Sequence, residues 1–560
     1  MRALPQPLAY RAQVATRFPV DADNRPHADP DGHRWRPWPT VEVPQPGWMW
    51  LRVLDAVAVA GIAVAGLVLR VLQRSPLWLD EALSSNIAAL PLSDIPGALK
   101  QDGHPPLYYV LLHGWQDVVG DGDVAVRLLS GVVGLALVPL AWIAAGRIGG
   151  RRAAWAAALI VTLNPYVLRY ATEARMYEMM MVLVLAGWLV ADHALRRPDL
   201  SRLVGLAALV GLLLWTHYWG LWLVGASLIG LLVRAGLAHR RGERSRRRAS
   251  LRVAAALVVG GLTFLPWVPT LLYQSTHTGT PWADPALPTE VVATSIVDLG
   301  GGPAGEAVLL ALALALALAL VLFALPGVGS RIELDLRTRP EVRRLAIVVV
   351  GTLALAMVAS YVAGAAYATR YFATVAPLVL VLAGVGVARI GGAASFRLVL
   401  GVVLVLGTVS AVRSAVSRPR TQAREVSEVI EAQRSPTGAY VLVCPDQLGP
   451  ALSRELPDDT DIATYPRFAG PELVDWVDYE ERIERASPTA FAEEALARAG
   501  DRDIWLVWSG TYTTHDGVCE EVANDLQRGR PGGAPVLLAD PDAFEQANTF
   551  FYPAAPSGGG

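Results

Sequence analysis

What most limits the fold of this chain is the recurrence of long apolar blocks. Eleven of them, at about 50–72, 125–146, 153–170, 176–194, 201–216, 218–234, 251–272, 306–327, 345–366, 371–389 and 396–413, read as spans. A span needs roughly 17–25 residues to cross about 30 Å of hydrocarbon, and the two blocks around Tyr218 come closest to the lower limit. ALALALALAL, from residue 311, alternates like a strand, but both of its residue types are apolar, so a helix is the simpler reading. With 53% hydrophobic and 18% charged residues and a mean hydropathy of +0.37, an array of soluble domains is excluded. The net charge of -2 says little, because the charges are sorted by position.

That sorting sets an expected orientation. The loop 234–252 holds eight arginines against one acid, Glu243, and arginines flank the turns at 147–152, 196–202, 331–344 and 389–397. The segment 273–306 has no Arg or Lys and carries Asp284, Glu290, Asp298 and Glu306. The positive-inside bias therefore places the arginine-rich loops and the amino terminus in the cytoplasm, and the 73–124 and 273–306 loops outside. Residues 1–47 are polar and proline-bearing, unlike a signal peptide, and read as a cytoplasmic lead. Residues 48–417 form the membrane domain.

The tail, 418–560, has a different texture. AYVLVCP, DIWLVWSG and APVLLAD read as strands, and 422–434, 472–499 and 517–528 as helices, which predicts a small α/β domain outside the membrane. Both cysteines, Cys444 and Cys519, lie there, either as a structural disulfide or as two buried thiols. The chain has no phosphate-binding glycine loop and no nucleic-acid signature; the glycines at 300–305 read as flexible or close-packed backbone.

Chemistry is expected on the outward loops. In SPLWLDEALSSN, residues 75–86, Asp80 can take a proton from an attacking hydroxyl, while Glu81 orients a donor or a metal; the alternative is ordinary interfacial charge. In KQDGHPPLYYVLLHGWQDVVG, residues 100–120, Leu107, Val110, Leu111 and Leu112 give an apolar face, predicting a helix along the membrane surface. Asp102 and His104 stand at its start, where the histidine can donate to a phosphate or hydroxyl. YATEARMYEMM, residues 170–180, brings Glu173, Arg175 and the hydroxyls of Tyr170 and Tyr177 to an outward turn; a plain Glu–Arg bridge is the alternative. His217, Tyr218 and Trp219 lie on the same face and serve either as interface anchors or as sugar-stacking groups. Arg370, beside Tyr371 in YATRYFATVAP, is an isolated outer cation suited to bidentate phosphate binding unless it merely snorkels.

LWLDEALSSNIA, DGHPPLYYVLLHGW, YATEARMY and ATRYFATVAP, in that order over residues 50–413, resemble the GT-C type of lipid-phosphate-dependent membrane glycosyltransferases. Within that type the likeness is to its RgtA/B/C/D-like and protein-mannosyltransferase-like branch. The resemblance implies a first outer loop with surface helices and, with the spans and tail read above, makes the expected fold a polytopic α-helical membrane protein of GT-C type with about eleven transmembrane helices and an extracytoplasmic α/β tail. It also implies a polyprenyl-phosphate sugar as donor and an acidic residue of the first outer loop as catalytic base. Asp80 matches that acid, Glu81 its neighbour, and His104 a position where other branches carry a lysine. Glu173, Arg175 and Tyr177 match the outer-turn motif, and Arg370 the phosphate-side position.

The expected reaction is a single, inverting displacement. Asp80 deprotonates the acceptor, and Arg370, with His104 or Tyr371, stabilises the departing phosphate. Asp102, Glu173, Arg175, Tyr177, His217, Tyr218 and Trp219 are expected around the sugar or acceptor. A divalent cation such as Mg or Mn, bridging Asp80 or Glu81 to phosphate, is optional, because no three ligands have metal spacing. Mannose, or a pentose such as arabinose, is the expected sugar, and an envelope glycan, lipid or protein the acceptor. High Ala, Gly and Arg usage, with Lys100 the only lysine, matches a GC-rich organism and is compatible with an actinobacterial envelope. The competing classes are a transporter of lipid-linked sugars, for which paired broken helices are lacking, and a non-catalytic envelope scaffold.

Overall fold

The computed structural model describes residues 49–554, apart from 74, 279–286, 326–332, 364–366, 417–418 and 436–437. The expected lead, 1–47, lies outside the described residues, as does Asp284.

Each apolar block is helical over most of its length. Six helices are long and apolar enough to cross a membrane alone: Asp123–Gly149, Tyr177–Arg196, Gly220–Arg240, Gly305–Phe323, Pro340–Val362 and Ala393–Val416. Arg244–Leu262 and Leu265–His277, bent by 41°, together make a seventh, while Leu200–Thr216 and Ala376–Val387 are shorter apolar helices. Prolines explain part of the difference from eleven uninterrupted spans. The 153–170 block stops at Leu163; Asn164 then caps a new helix, accepting from the Val167 N–H, with Pro165 at its first position. Pro266 sits at the bend in the 251–272 block, where its ring and missing N–H interrupt the ladder.

Between the first apolar helix and Asp123 the chain folds three short helices, Leu79–Ala89, Ile95–Asp102 and Leu107–Val119. The last is the expected amphipathic helix, with Val110, Leu111 and Val118 exposed. Its Leu112 faces protein rather than the outside, and two of its polar residues, His113 and Gln116, also point inward. His113 Nδ1 lies 2.7 Å from the Ala88 carbonyl, and Gln116 donates to Ser85 Oγ at 2.8 Å.

The tail builds a five-stranded sheet from β1 (Ala439–Cys444), β2 (Asp461–Thr464), β3 (Asp503–Trp508), β4 (Ala534–Leu537) and β5 (Asn548–Tyr552), in the order β2-β1-β3-β5-β4. The first three are parallel; β5 runs antiparallel to both β3 and β4. Strand alternation splits β1 between two cores: Tyr440, Leu442 and Cys444 on one face, Val441 and Val443 on the other. The expected helix 472–499 is instead two helices, Tyr479–Arg485 and Pro488–Ala499, preceded by extended chain. Pro488 starts the second beneath a Ser487 cap. The extended part spends its backbone groups on the membrane domain: Trp476 N–H donates to the Gln101 carbonyl, and the Glu472 carbonyl accepts from Asn86.

Cys444, at the end of β1, is bonded to Cys519 in the helix Val518–Gly529. The bridge closes a loop of 75 residues, for which chain entropy gives about 4 kcal/mol. Cys444→Ser is therefore expected to lower the thermal midpoint of the oxidised protein. An unchanged midpoint would show that the tail does not need the bond.

Candidate functional site

Four loops converge on Asp80. It occupies the first turn of Leu79–Ala89, a position that favours an anion. Its Oδ2 accepts from Arg370 Nη1 at 2.9 Å, and Arg175 Nη2 lies 3.9 Å away. Arg370 is delivered by the 3-10 turn Thr369–Thr374, which Tyr166 fastens from below by donating to the Thr369 carbonyl at 2.9 Å.

Arg175 is the hub. Its Nη1 donates to Ser84 Oγ at 2.9 Å and to the Asp80 carbonyl at 3.3 Å, while its Nη2 donates to His104 Nε2 at 3.1 Å. A guanidinium only donates, so His104 Nε2 accepts, and its Nδ1–H points at Asp102 Oδ2, 2.8 Å away. Tyr109 donates to the same Asp102 oxygen at 2.9 Å. Burial pushes the Asp102 carboxyl up, but His104, Arg175 and the hydrogen bonds outweigh it and leave the group below its ordinary value. Asp102, His104 and Arg175 thus form one relay ending beside Asp80.

Aromatic rings close one side. His217 packs between His104, Tyr177 and Tyr371, at centroid distances of 5.9, 5.6 and 5.6 Å. Burial, with His104, Arg175 and Arg370 nearby, holds the imidazole well below its usual pKa, so it is neutral. Trp219 stacks on Tyr371 at 4.8 Å. Tyr177 and His217 each present a buried polar atom, Oη and Nε2, without a hydrogen-bond partner among the described residues. Such atoms favour a polar ligand or water between them.

Three expected residues are placed elsewhere. Glu81 is fully buried and points away from Asp80, as adjacent helical residues do. Arg127 grips it through both oxygens at 2.7 and 2.6 Å, Arg420 lies at 3.0 Å, and the Ala174 N–H donates at 3.0 Å. Burial raises this carboxyl, yet the two guanidiniums win and hold it well below the carboxylate range. With both oxygens committed, Glu81 does not fit a divalent cation shared with Asp80. The described residues contain one triad close enough to ligate an ion, Cys444, His515 and Cys519, and its cysteines are joined to each other. Tyr218 turns from the site to donate to Gln274, which in turn donates to the Leu99 carbonyl, bracing Val268–His277 against Ile95–Asp102. Glu173 faces a separate cavity.

The fold around this site has known counterparts. A family model described as dolichyl-phosphate-mannose-protein mannosyltransferase matches residues 103–268. ArnT from Cupriavidus metallidurans, crystallised with undecaprenyl phosphate, is 15% identical and aligns over 90% of this chain and 98% of its own, with a TM-score of 0.55. The chain shares the fold of ArnT. Apo ArnT gives 14% identity over 90% and 97%, with a TM-score of 0.58. The Archaeoglobus fulgidus oligosaccharyltransferase tethered to an acceptor peptide aligns at 10% identity over 91% of this chain and 75% of its own, with a TM-score of 0.45. No curated protein matches the sequence.

In this chain the tail completes the loop that carries Asp80. Arg420 reaches Glu81, and its own N–H donates to Ser75 Oγ at 2.8 Å. Glu545 accepts from the Leu79 N–H at 3.3 Å, supplying the amino-terminal cap that Trp78 lacks, and is paired through backbone with Arg420. Sequence patterns offered no signal for Arg127, Arg420 or Glu545, which join the site only through contacts 46 to 466 residues apart. Burial lifts the Glu545 carboxyl to about 8. A group raised in the folded state binds its proton more tightly than in the unfolded chain, so it stabilises at low pH. That contribution is lost as pH climbs from about 4.5 through 8. Glu545→Gln is accordingly expected to flatten the fall in thermal midpoint between pH 5 and about 8. An unaltered slope would contradict this.

Proposed function

We propose that this chain is a glycosyltransferase that moves a sugar from a polyprenyl-phosphate donor to an acceptor hydroxyl at the outer membrane face. The observation that carries the reading is one carboxylate, Asp80, held by a single oxygen between Arg370 and Arg175, with the His104–Asp102 pair behind them. An anionic base and cations for a leaving phosphate are thereby within reach of each other.

The donor phosphate competes with Asp80 for Arg370. As the guanidinium turns to the phosphate, it offers the bidentate pairing that a fork of N–H groups provides, and Asp80 is released to act as base. The acceptor oxygen then attacks the anomeric carbon while its proton passes to Asp80. The bond from that carbon to the phosphate oxygen breaks, and the electron pair leaves with polyprenyl phosphate. Arg370 compensates the charge on that oxygen. His104, once protonated, keeps its Nδ1–H on Asp102 and turns Nε2–H toward the phosphate. One displacement inverts the anomeric configuration. Trp219 and Tyr371 offer aromatic faces for the sugar. The membrane helices cradle the lipid tail, a reading supported by the shared fold of ArnT, whose structure is bound to undecaprenyl phosphate. Mannose, or a pentose such as arabinose, is the proposed sugar, and an envelope glycan, lipid or protein the acceptor.

The test is reconstitution in liposomes with labelled polyprenyl-phosphate sugars and envelope acceptors, following sugar transfer and lipid movement together. Transfer supports the reading. Protein-dependent movement of the lipid-linked sugar without transfer would instead identify a transporter. In the same assay Arg370→Gln is expected to weaken donor binding and transfer by at least about tenfold, the loss of one charge-assisted pair. Equal donor affinity would remove Arg370 from the phosphate site.

A further inference from the structure

Beside the Glu81 cluster, and lined in part by Arg420, lies a cavity of about 170 Å³. It opens where the first apolar helix, the Pro165–Thr172 segment, the 298–303 turn, the end of Ala393–Val416 and the tail meet. Its wall is mixed in a particular way. Glu173, only 2% exposed, lines it with no side-chain hydrogen bond among the described residues; its nearest cation is Arg169, at 3.9 Å. Across from it stands Asp298, whose buried Oδ2 has no hydrogen-bond partner among the described residues. Trp78 and Phe544 meet edge to face at 5.0 Å, and the Phe544 ring is largely exposed at the rim. Ala411 and Ala415 add small apolar groups to the lining, beside Ser414.

Buried carboxylates with spare lone pairs seek donors, and a guanidinium seeks acceptors. A ligand that supplies both, with an apolar edge for the aromatic pair, is a polyhydroxylated ring. Size agrees: at about 30 Å³ per water the cavity holds roughly six waters, the space of one ring-sized unit. Among the described residues two carboxylates, Glu173 and Asp298, share the wall with Arg169, itself 3.9 Å from Glu173, a balance that suits hydroxyls better than an anion. Arg420, the second cation there, is committed to Glu81 and Thr172. Trp78 is two residues from Asp80, and Glu173 two from Arg175, so the cavity adjoins the reaction site through chain shared with it.

We infer that this cavity is an acceptor subsite, binding one sugar ring of a glycan or glycolipid acceptor through Glu173, Arg169 and Asp298 with the Trp78–Phe544 pair at its rim. The inference rests on the transferase reading above. Burial raises the Glu173 carboxyl, which suits a group that exchanges hydrogen bonds with hydroxyls.

The test uses the full chain in detergent and methyl glycosides of mannose, arabinose, galactose and glucose as probes, read by saturation-transfer NMR. At least one glycoside is expected to show transfer that falls about fivefold or more in Ala415→Trp, which fills the cavity, and in Phe544→Ala, which alters only the exposed rim. Asp80→Asn is expected to retain it. No transfer to any glycoside, or equal transfer in wild type and both cavity variants, would overturn the subsite. In the liposome assay Ala415→Trp is expected to raise the acceptor KM and spare donor binding. Active wild type with an unchanged acceptor KM in both variants would sink the subsite and leave the transferase. Cavity-dependent sugar binding without any sugar transfer would keep a sugar site and sink the transferase.

Discussion

Asp80→Asn is expected to lower sugar transfer by about 10²- to 10⁴-fold, the usual worth of a positioned general base, while donor binding stays intact or tightens. Asparagine has the shape of aspartate and still offers an oxygen to Arg370, so the 3-10 turn bearing that arginine keeps its anchor. What disappears is the basic lone pair and the negative charge. Losing the charge leaves Arg370 and Arg175 without the carboxylate between them, and an incoming phosphate then has less competition for both. Transfer at the wild-type rate would remove Asp80 as base. Loss of donor binding together with transfer would show that Asp80 organises the phosphate site rather than the proton.

Glu81→Ala should damage the molecule in a different way. The substitution removes no reacting group but strands two buried guanidiniums, Arg127 and Arg420, that now share one carboxylate. Breaking a buried ion pair from one side typically destabilises by about 3–5 kcal/mol, because the remaining charge has lost its counter-ion. Here the Ala174 N–H also loses its acceptor. A thermal midpoint well below that of Asp80→Asn is the expected result. The double variant Glu81→Met with Arg127→Met should recover part of the loss, since apolar side chains of similar volume can replace a buried pair. If Glu81→Ala melts with wild type but loses transfer, the carboxylate works in the reaction after all.

The contrast between these neighbours shows where the sequence is legible. That Asp80, His104, Arg175 and Arg370 share a level could be inferred from loop position and charge, because an ionisable group beside hydrocarbon is conspicuous. Which of two consecutive acids faces the reaction could not, because it depends on where Arg127 and Arg420 fall in three dimensions. Tyr218 and Trp219 show the same limit: both are aromatic and outward, yet one braces Gln274 while its neighbour stacks on Tyr371. In the tail AYVLVCP, DIWLVWSG and APVLLAD were visible as strands, whereas the NTFFY run of β5 was not read as one. Asp461–Thr464 is too short and polar to stand out, and its strand character comes from its parallel pairing with β1. The 472–478 stretch carries helix-compatible residues, but its backbone groups are claimed by the loops beneath it.

The grip of the tail on the Asp80 loop has a consequence for how the protein comes into being. Glu545 is met late in synthesis, well after the last apolar helix, Ala393–Val416, whereas Arg420 follows that helix directly. Until the segment around Glu545 arrives, the helix bearing Asp80 lacks its cap, and until Arg420 docks, Glu81 has only one of its two cations. A prematurely ended chain can therefore fill the membrane with helices and still carry an unfinished centre. If the proposed centre needs this cap, a clipped copy that lacks Glu545 is expected to be chemically silent beside its finished neighbours.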